Sequence, residues 1–85
     1  MEIQYSRNFV KQYKKLNAKS RQQFLERQAL WLENHGDVRL QTHPLKGKFQ
    51  GYWSMNVSGD LRAIYYQEGD QVVIFALIGT HSQLY

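Results

Sequence analysis

Apolar and polar positions along the chain change their period twice. Glu2-Ile3-Gln4-Tyr5 alternates in the manner of a short strand. From Ser6, whose hydroxyl suits a helix N-cap, Phe9, Tyr13 and Leu16 recur at helical spacing. Asn17-Ala18-Lys19-Ser20 reads as a polar break. A longer helix is predicted after it, with Phe24, Leu25, Ala29, Leu30 or Trp31, and Leu32 turned inward. His35-Gly36 supplies the stop, the glycine taking the left-handed position that ends many helices. Two helices with so short a link form a hairpin.

Residues 37–48 read as a loop carrying Leu40, His43-Pro44-Leu45 and Lys46-Gly47-Lys48. From Phe49 the pattern changes to that of strands. Residues 52–57, 61–66 and 71–78 are predicted strands, separated by turns at Ser58-Gly59-Asp60 and Glu68-Gly69-Asp70. Strands joined by such tight turns run antiparallel. The most apolar run, Val72 to Ile78, reads as a buried strand that Gly79 stops, delivering His81, Ser82 and Tyr85 to the sheet's rim. The predicted fold is α+β: a short N-terminal strand, an antiparallel helix hairpin, then a three-stranded antiparallel meander. The helices cover one sheet face and leave the other open, with the His43 loop beside it.

Length and charge narrow this picture. The 85 residues fit one domain, 1–85, with one modest core. Cysteine is absent, which removes disulfides and thiolate chemistry and fits a reducing cytoplasm. The first residues lack a secretory pattern and the longest apolar run is too short to span a bilayer, so a cytoplasmic protein with no membrane partner is expected. Residues 1–48 hold ten Lys and Arg against four acids, a net +6, whereas residues 49–85 hold one against three, a net −2. A basic N-terminal half can follow a phosphate backbone or dock an acidic protein, and it can also serve solubility alone.

The candidate chemical groups are His43, Lys46, Lys48, Asn56, Asp60, Arg62, His81, Ser82 and Tyr85. Taken singly, each has an ordinary role. A loop histidine is commonly structural, Asp60 suits a hairpin turn, and Lys46-Gly47-Lys48 suits a solvated loop. Arg62 is less easily explained, because its neighbours Leu61, Ala63 and Ile64 are apolar and its charge must reach the open face or an acid. Together the groups match metal-free RNA cleavage. That reaction needs a base for the ribose 2′-hydroxyl, an acid for the leaving 5′-oxygen and a cation for the phosphate. Two histidines and Arg62 or a lysine cover these tasks, while Tyr85, Tyr52 or Trp53 can stack on a base. No spacing typical of metal ligands, phosphate-binding glycine loop or Gly-x-Ser-x-Gly elbow is present, so neither metal nor cofactor is expected.

Four strings carry a resemblance: His43-Pro44-Leu45-Lys46-Gly47, Gly51-Tyr52, Gly59-Asp60-Leu61-Arg62-Ala63-Ile64-Tyr65 and Gly79-Thr80-His81-Ser82-Gln83-Leu84-Tyr85. In this order they resemble the RelE/ParE toxin superfamily, with the YafQ-like branch as the nearest pattern. The resemblance implies a RelE-like fold with a twisted antiparallel sheet. It also implies a type II toxin that cuts messenger RNA in the ribosomal A site, inhibits translation and is neutralised by a cognate antitoxin. Carried over by position, the resemblance implies His81 as the general acid and His43 or Asp60 as the base or base-orienting group. Tyr85 is the terminal aromatic that places substrate. Arg62 stabilises the phosphate, matching a strand arginine of RelE-type sequences. Lys46 and Lys48, with Lys11, Lys14, Lys15, Lys19 and Arg21 of the helices, would hold RNA, the helical set contacting ribosomal RNA. Two positions depart from the branch: Asn56 stands where a histidine is common, and Leu77 where an arginine is common. The alternative is a ParE-like toxin that poisons DNA gyrase, which the paired histidines disfavour. A third reading is an inactive scaffold that only binds an antitoxin.

Overall fold

The computed structural model describes residues 1–85. Strand β1 (Glu2–Tyr5) leads into helix α1 (Arg7–Lys14) and helix α2 (Ala18–Glu33). Ser6 joins the first two by a double contact: its hydroxyl accepts from the Phe9 amide at 3.0 Å and donates to the Ala76 carbonyl at 2.7 Å. The cap therefore also pins α1 to the sheet. Asn17 caps α2 through Oδ1, which accepts from the Ser20 amide at 2.7 Å. The expected four-residue polar break is thus the start of α2 itself, because Ala18, Lys19 and Ser20 are helical behind that cap.

Helix α2 buries Phe24 and Trp31, two turns apart on one face. Leu25 and Leu32 each lie one residue further round, at 45% and 42% exposure, and Ala29 is exposed as well. These three were expected to face inward and do not. The helix stops at Glu33 without a left-handed glycine: Asn34 is extended and its Oδ1 accepts from the Gly36 amide at 3.0 Å. A side-chain turn replaces the predicted glycine stop.

The loop that follows is partly ordered. It holds a 3-10 turn at Val38–Leu40, strand β2 (His43–Pro44) and a second 3-10 turn at Gly47–Phe49. Strands β3 (Trp53–Ser58), β4 (Leu61–Glu68) and β5 (Val72–Thr80) form the meander, and helix α3 (His81–Leu84) ends the chain. The sheet order is β1-β5-β4-β3-β2. β1 pairs parallel to β5 and every other pair is antiparallel, so the sheet is mixed. β5 runs through Gly79, which pairs with Arg62, instead of ending before it.

Register sorts the side chains between the two faces, since directly paired residues point the same way. Met55, Ala63 and Ile78 form one row, and Tyr65 with Phe75 another, all buried under the helices. Phe24 meets Phe75 edge to face at 5.2 Å, and Trp31 meets Tyr65 at 5.2 Å with its Nε1–H donating to the Tyr65 hydroxyl at 2.9 Å. The second face carries His43, Ser54, Ile64 and Leu77 in one row and Asn56, Arg62 and Gly79 in the next. It is not wholly open, because Leu84 of α3 is buried and Gly79 approaches Gln83 and Leu84 closely. No helix is long and apolar enough to cross a membrane.

Burial pushes the Tyr65 hydroxyl above the ordinary tyrosine value near 10, with the Trp31 hydrogen bond opposing the shift. A raised folded-state value gives stability that is complete below about pH 10 and lost as pH climbs through the folded-state value. The melting temperature is therefore expected to fall more steeply as pH rises above about 10 in the native chain than in Tyr65→Phe. Parallel pH profiles for the two proteins would remove this role.

Candidate active site

The second face, β2 and α3 enclose a cavity of about 380 Å³ lined by His43, Leu45, Ser54, Arg62, His81 and Tyr85. Identifiable contacts hold His43 and Arg62 in place. His43 is placed by its pairing with Ser54, and its Nδ1 lies 3.0 Å from the Gln41 carbonyl oxygen. A carbonyl can only accept, so Nδ1 is the donor in this contact, and in a neutral ring so held Nε2 is the nitrogen that can accept a proton. Arg62 donates from Nη1 to the paired Asn56 Oδ1 and to the Gly59 carbonyl at 3.0 Å. No other protein group accepts from this guanidinium, which leaves Nε and Nη2 for a ligand. The Asn56 side chain thus serves to aim the arginine.

The tail is built for position too. Thr80 caps α3 reciprocally with Gln83: the Thr80 amide donates to Gln83 Oε1 at 2.8 Å, and the Gln83 amide to Thr80 Oγ1 at 3.3 Å. The His81 amide donates to the Asp60 carbonyl at 3.2 Å and the Tyr85 amide to the His81 carbonyl at 3.0 Å. The His81 and Tyr85 rings lie 4.7 Å apart. Phe49 meets Tyr85 edge to face at 6.1 Å, and Lys48 Nζ sits 5.3 Å from the Phe49 ring centre. A chain of aromatic faces therefore runs from His81 toward Lys48 at the cavity's flank.

Four sequence candidates, His43, Arg62, His81 and Tyr85, share the cavity. Others stand apart. Asp60 is exposed at the β3–β4 turn and is not part of the cavity lining. It meets the site through its backbone carbonyl, on His81. Lys46 precedes the second 3-10 turn and is exposed, and the Ser82 hydroxyl lies 3.4 Å from Thr80 Oγ1 in the capping region. Lys11 and Lys14 are on α1, Lys15 is its C-cap, and Lys19 and Arg21 are on α2. This hairpin packs on the opposite sheet face, so these cations cannot touch the group seated in the cavity. Lys14 and Arg21 instead edge a separate apolar groove of about 490 Å³ with Phe9, Val10 and Leu25 among its walls. Leu77 pairs with Ile64 and brings no charge. No three His, Cys, Asp or Glu side chains gather as a metal-binding group.

Ser54 is the lining residue that sequence reasoning missed. A signal for it exists: Ser54 and Asn56 alternate with apolar Met55 and Val57, which puts both polar residues on the face away from the helices. Gly79 is needed for a different reason from the one expected. A Cβ there would lie 3.0 Å from Gln83 Oε1 and 3.3 Å from Leu84 Cδ2. Gly79→Ala is expected to push Gln83 out of the capping box and lower stability by about 1–3 kcal/mol. Denaturant unfolding measures it, and an unchanged midpoint would mean that the tail yields freely.

Comparison with known proteins agrees with this architecture. A family model described as the bacterial toxin of a type II toxin-antitoxin system, YafQ, matches residues 1–85. YafQ from E. coli strain BL21(DE3) superposes with a TM-score of 0.81 at 27% identity, over 99% of this chain and 97% of that one. YafQ in the E. coli DinJ-YafQ toxin-antitoxin complex gives a TM-score of 0.78 at 28% identity, over 99% and 96%. A YoeB/ParE toxin from Agrobacterium tumefaciens shares the fold alone, with a TM-score of 0.80 at 18% identity over 95% and 99%. No curated protein sequence matches the chain. The full-length match, together with the fold common to these structures, establishes that the chain belongs to the YafQ family of type II toxin-antitoxin toxins.

Proposed function

We propose that this toxin cuts messenger RNA held in the ribosome, using the ribose 2′-hydroxyl as nucleophile and no metal, and so stops translation. One observation carries the proposal: two histidines, an arginine and a terminal tyrosine line a single cavity on the sheet face away from the helices. His43 Nε2, the accepting nitrogen of the neutral ring, takes the 2′-hydroxyl proton. The 2′-oxygen attacks phosphorus and the bond to the 5′-oxygen breaks. Protonated His81 gives that oxygen its proton, leaving a 2′,3′-cyclic phosphate and a 5′-hydroxyl. The unengaged edge of Arg62 offsets the charge that builds on the phosphate oxygens. Tyr85, backed by Phe49, stacks on a base beside the cut.

Asp60 acts here by holding the tail through its carbonyl, so the base is His43. Lys46 and Lys48 sit on the cavity's side and guide the message. Lys11, Lys14, Lys15, Lys19 and Arg21 present a second charged surface to ribosomal RNA. The toxin's partner is a cognate antitoxin, as DinJ is for E. coli YafQ.

Message-programmed ribosomes test the reading. The expected products are fragments with cyclic-phosphate and 5′-hydroxyl ends, with gyrase supercoiling unaffected. Intact message together with inhibited supercoiling would move the protein to the gyrase poisons.

A further inference from the structure

Ser54 Oγ is the only buried side-chain nitrogen or oxygen in the structure without a hydrogen-bond partner. The residue is 0% exposed, out of reach of bulk solvent. Keeping a hydroxyl in this state costs about 1–3 kcal/mol relative to a paired one. Alanine would fill the position without that cost. The orphan is not lost in the core between helices and sheet. It lies in the wall of the cavity that holds His43, Arg62, His81 and Tyr85.

Its place in the ladder is specific. His43 is its direct partner on one side and Ile64 on the other, and Arg62 is two residues before Ile64 on the same face. Ser54 therefore sits on the strand between those that carry His43 and Arg62, on the same face as both. The exposed side chains around the cavity, His43, His81 and Tyr85, change rotamer on fast timescales, so a substrate that turns them gains access to the wall.

We propose that Ser54 is a substrate-contacting residue whose hydroxyl donates to a non-bridging oxygen of the attacked phosphate. The assignment rests on the RNA-cleavage reading above. It adds a second neutralising contact beside Arg62, made by a neutral donor from the floor of the site.

The test compares wild type with Ser54→Ala and Ser54→Cys on message-programmed ribosomes, with a melting curve for each protein. Both variants are expected to melt at or above the wild-type temperature, since the hydroxyl has no partner to lose. Both are expected to cut about 10- to 100-fold more slowly at saturating ribosome concentration, the range of a hydrogen bond to a charged oxygen. A message with single-isomer phosphorothioate at the cut site adds a readout that packing alone does not move. The isomer with sulfur at the contacted position should slow wild type more than either variant. Wild-type cleavage rates in both variants would overturn the proposal and leave the nuclease reading standing. So would a large drop in melting temperature, or equal thio effects in all three proteins, the latter pointing to the 2′-hydroxyl as partner. No cleavage by wild type would remove both.

Discussion

His81→Ala is expected to lower message cleavage by about 10²–10⁴-fold, the usual yield of a positioned acid, while leaving the melting temperature nearly unchanged. The separation follows from how the residue is held. Its structural contacts are its backbone amide on the Asp60 carbonyl and its carbonyl to the Tyr85 amide, and alanine keeps both. The ring is exposed and touches only Tyr85 among the aromatic groups. Growth arrest on induction in a bacterial host, with primer extension of a reporter message, measures the loss. Equal arrest by wild type and variant with uncut message would detach the toxicity from this cavity.

Trp31→Ala is expected to cost about 3–5 kcal/mol, the largest loss from any single truncation considered. Trp31 is 0% exposed and fills the space between α2 and the meander. It lies edge-on to Tyr65 at 5.2 Å and to Phe75 at 6.3 Å, and it stacks on His35 at 3.8 Å. Truncation opens a cavity and also strips the Tyr65 hydroxyl of its buried donor. Folded domains hold only about 5–15 kcal/mol in total, and a small one sits low in that range. The variant should thus be largely unfolded at growth temperature and inert for that reason. Urea unfolding of the two proteins measures the difference, and a loss below about 1.5 kcal/mol would mean that the core closes over the gap.

Local chemistry made much of this fold readable. Ser6, the strand runs of β3 and β4 and the two glycine turns act through neighbours in sequence, and each appears where it was expected. What eluded the reading depends on distant partners. β2 has two residues, too few for a period, and exists because β3 offers it a ladder. Gly79 looks like a strand stop but is extended within β5, because its task is to make room for the tail. The inward assignment of Leu25 and Leu32 failed because Phe24 and Trp31 already fill the single face that α2 can bury.

The site divides in the same way. His43, Arg62, His81 and Tyr85 were visible from residue type and from the family's motifs, and one cavity gathers them. Asp60, named with them from the sequence, is exposed at the β3–β4 turn outside the cavity lining, and its backbone carbonyl accepts from the His81 amide. The helical lysines were assigned to ribosomal RNA, and the hairpin that carries them packs on the sheet face opposite the cavity. Ser54 was passed over because a lone strand serine announces nothing until its lack of a partner is seen.

Single-turnover cleavage of one defined message on ribosomes, run with His43→Ala, Asp60→Ala, Arg62→Ala, His81→Ala and Lys14→Ala, decides whether the cavity is the catalytic centre. Losses of about 100-fold or more are expected for the His43, Arg62 and His81 variants. The Asp60 and Lys14 variants should cut the ribosome-bound message within roughly tenfold of wild type, their charges lying outside the cavity. Full activity in His43→Ala with complete loss in Asp60→Ala would instead place the base at the turn, and the cavity as described would not be the site of cleavage.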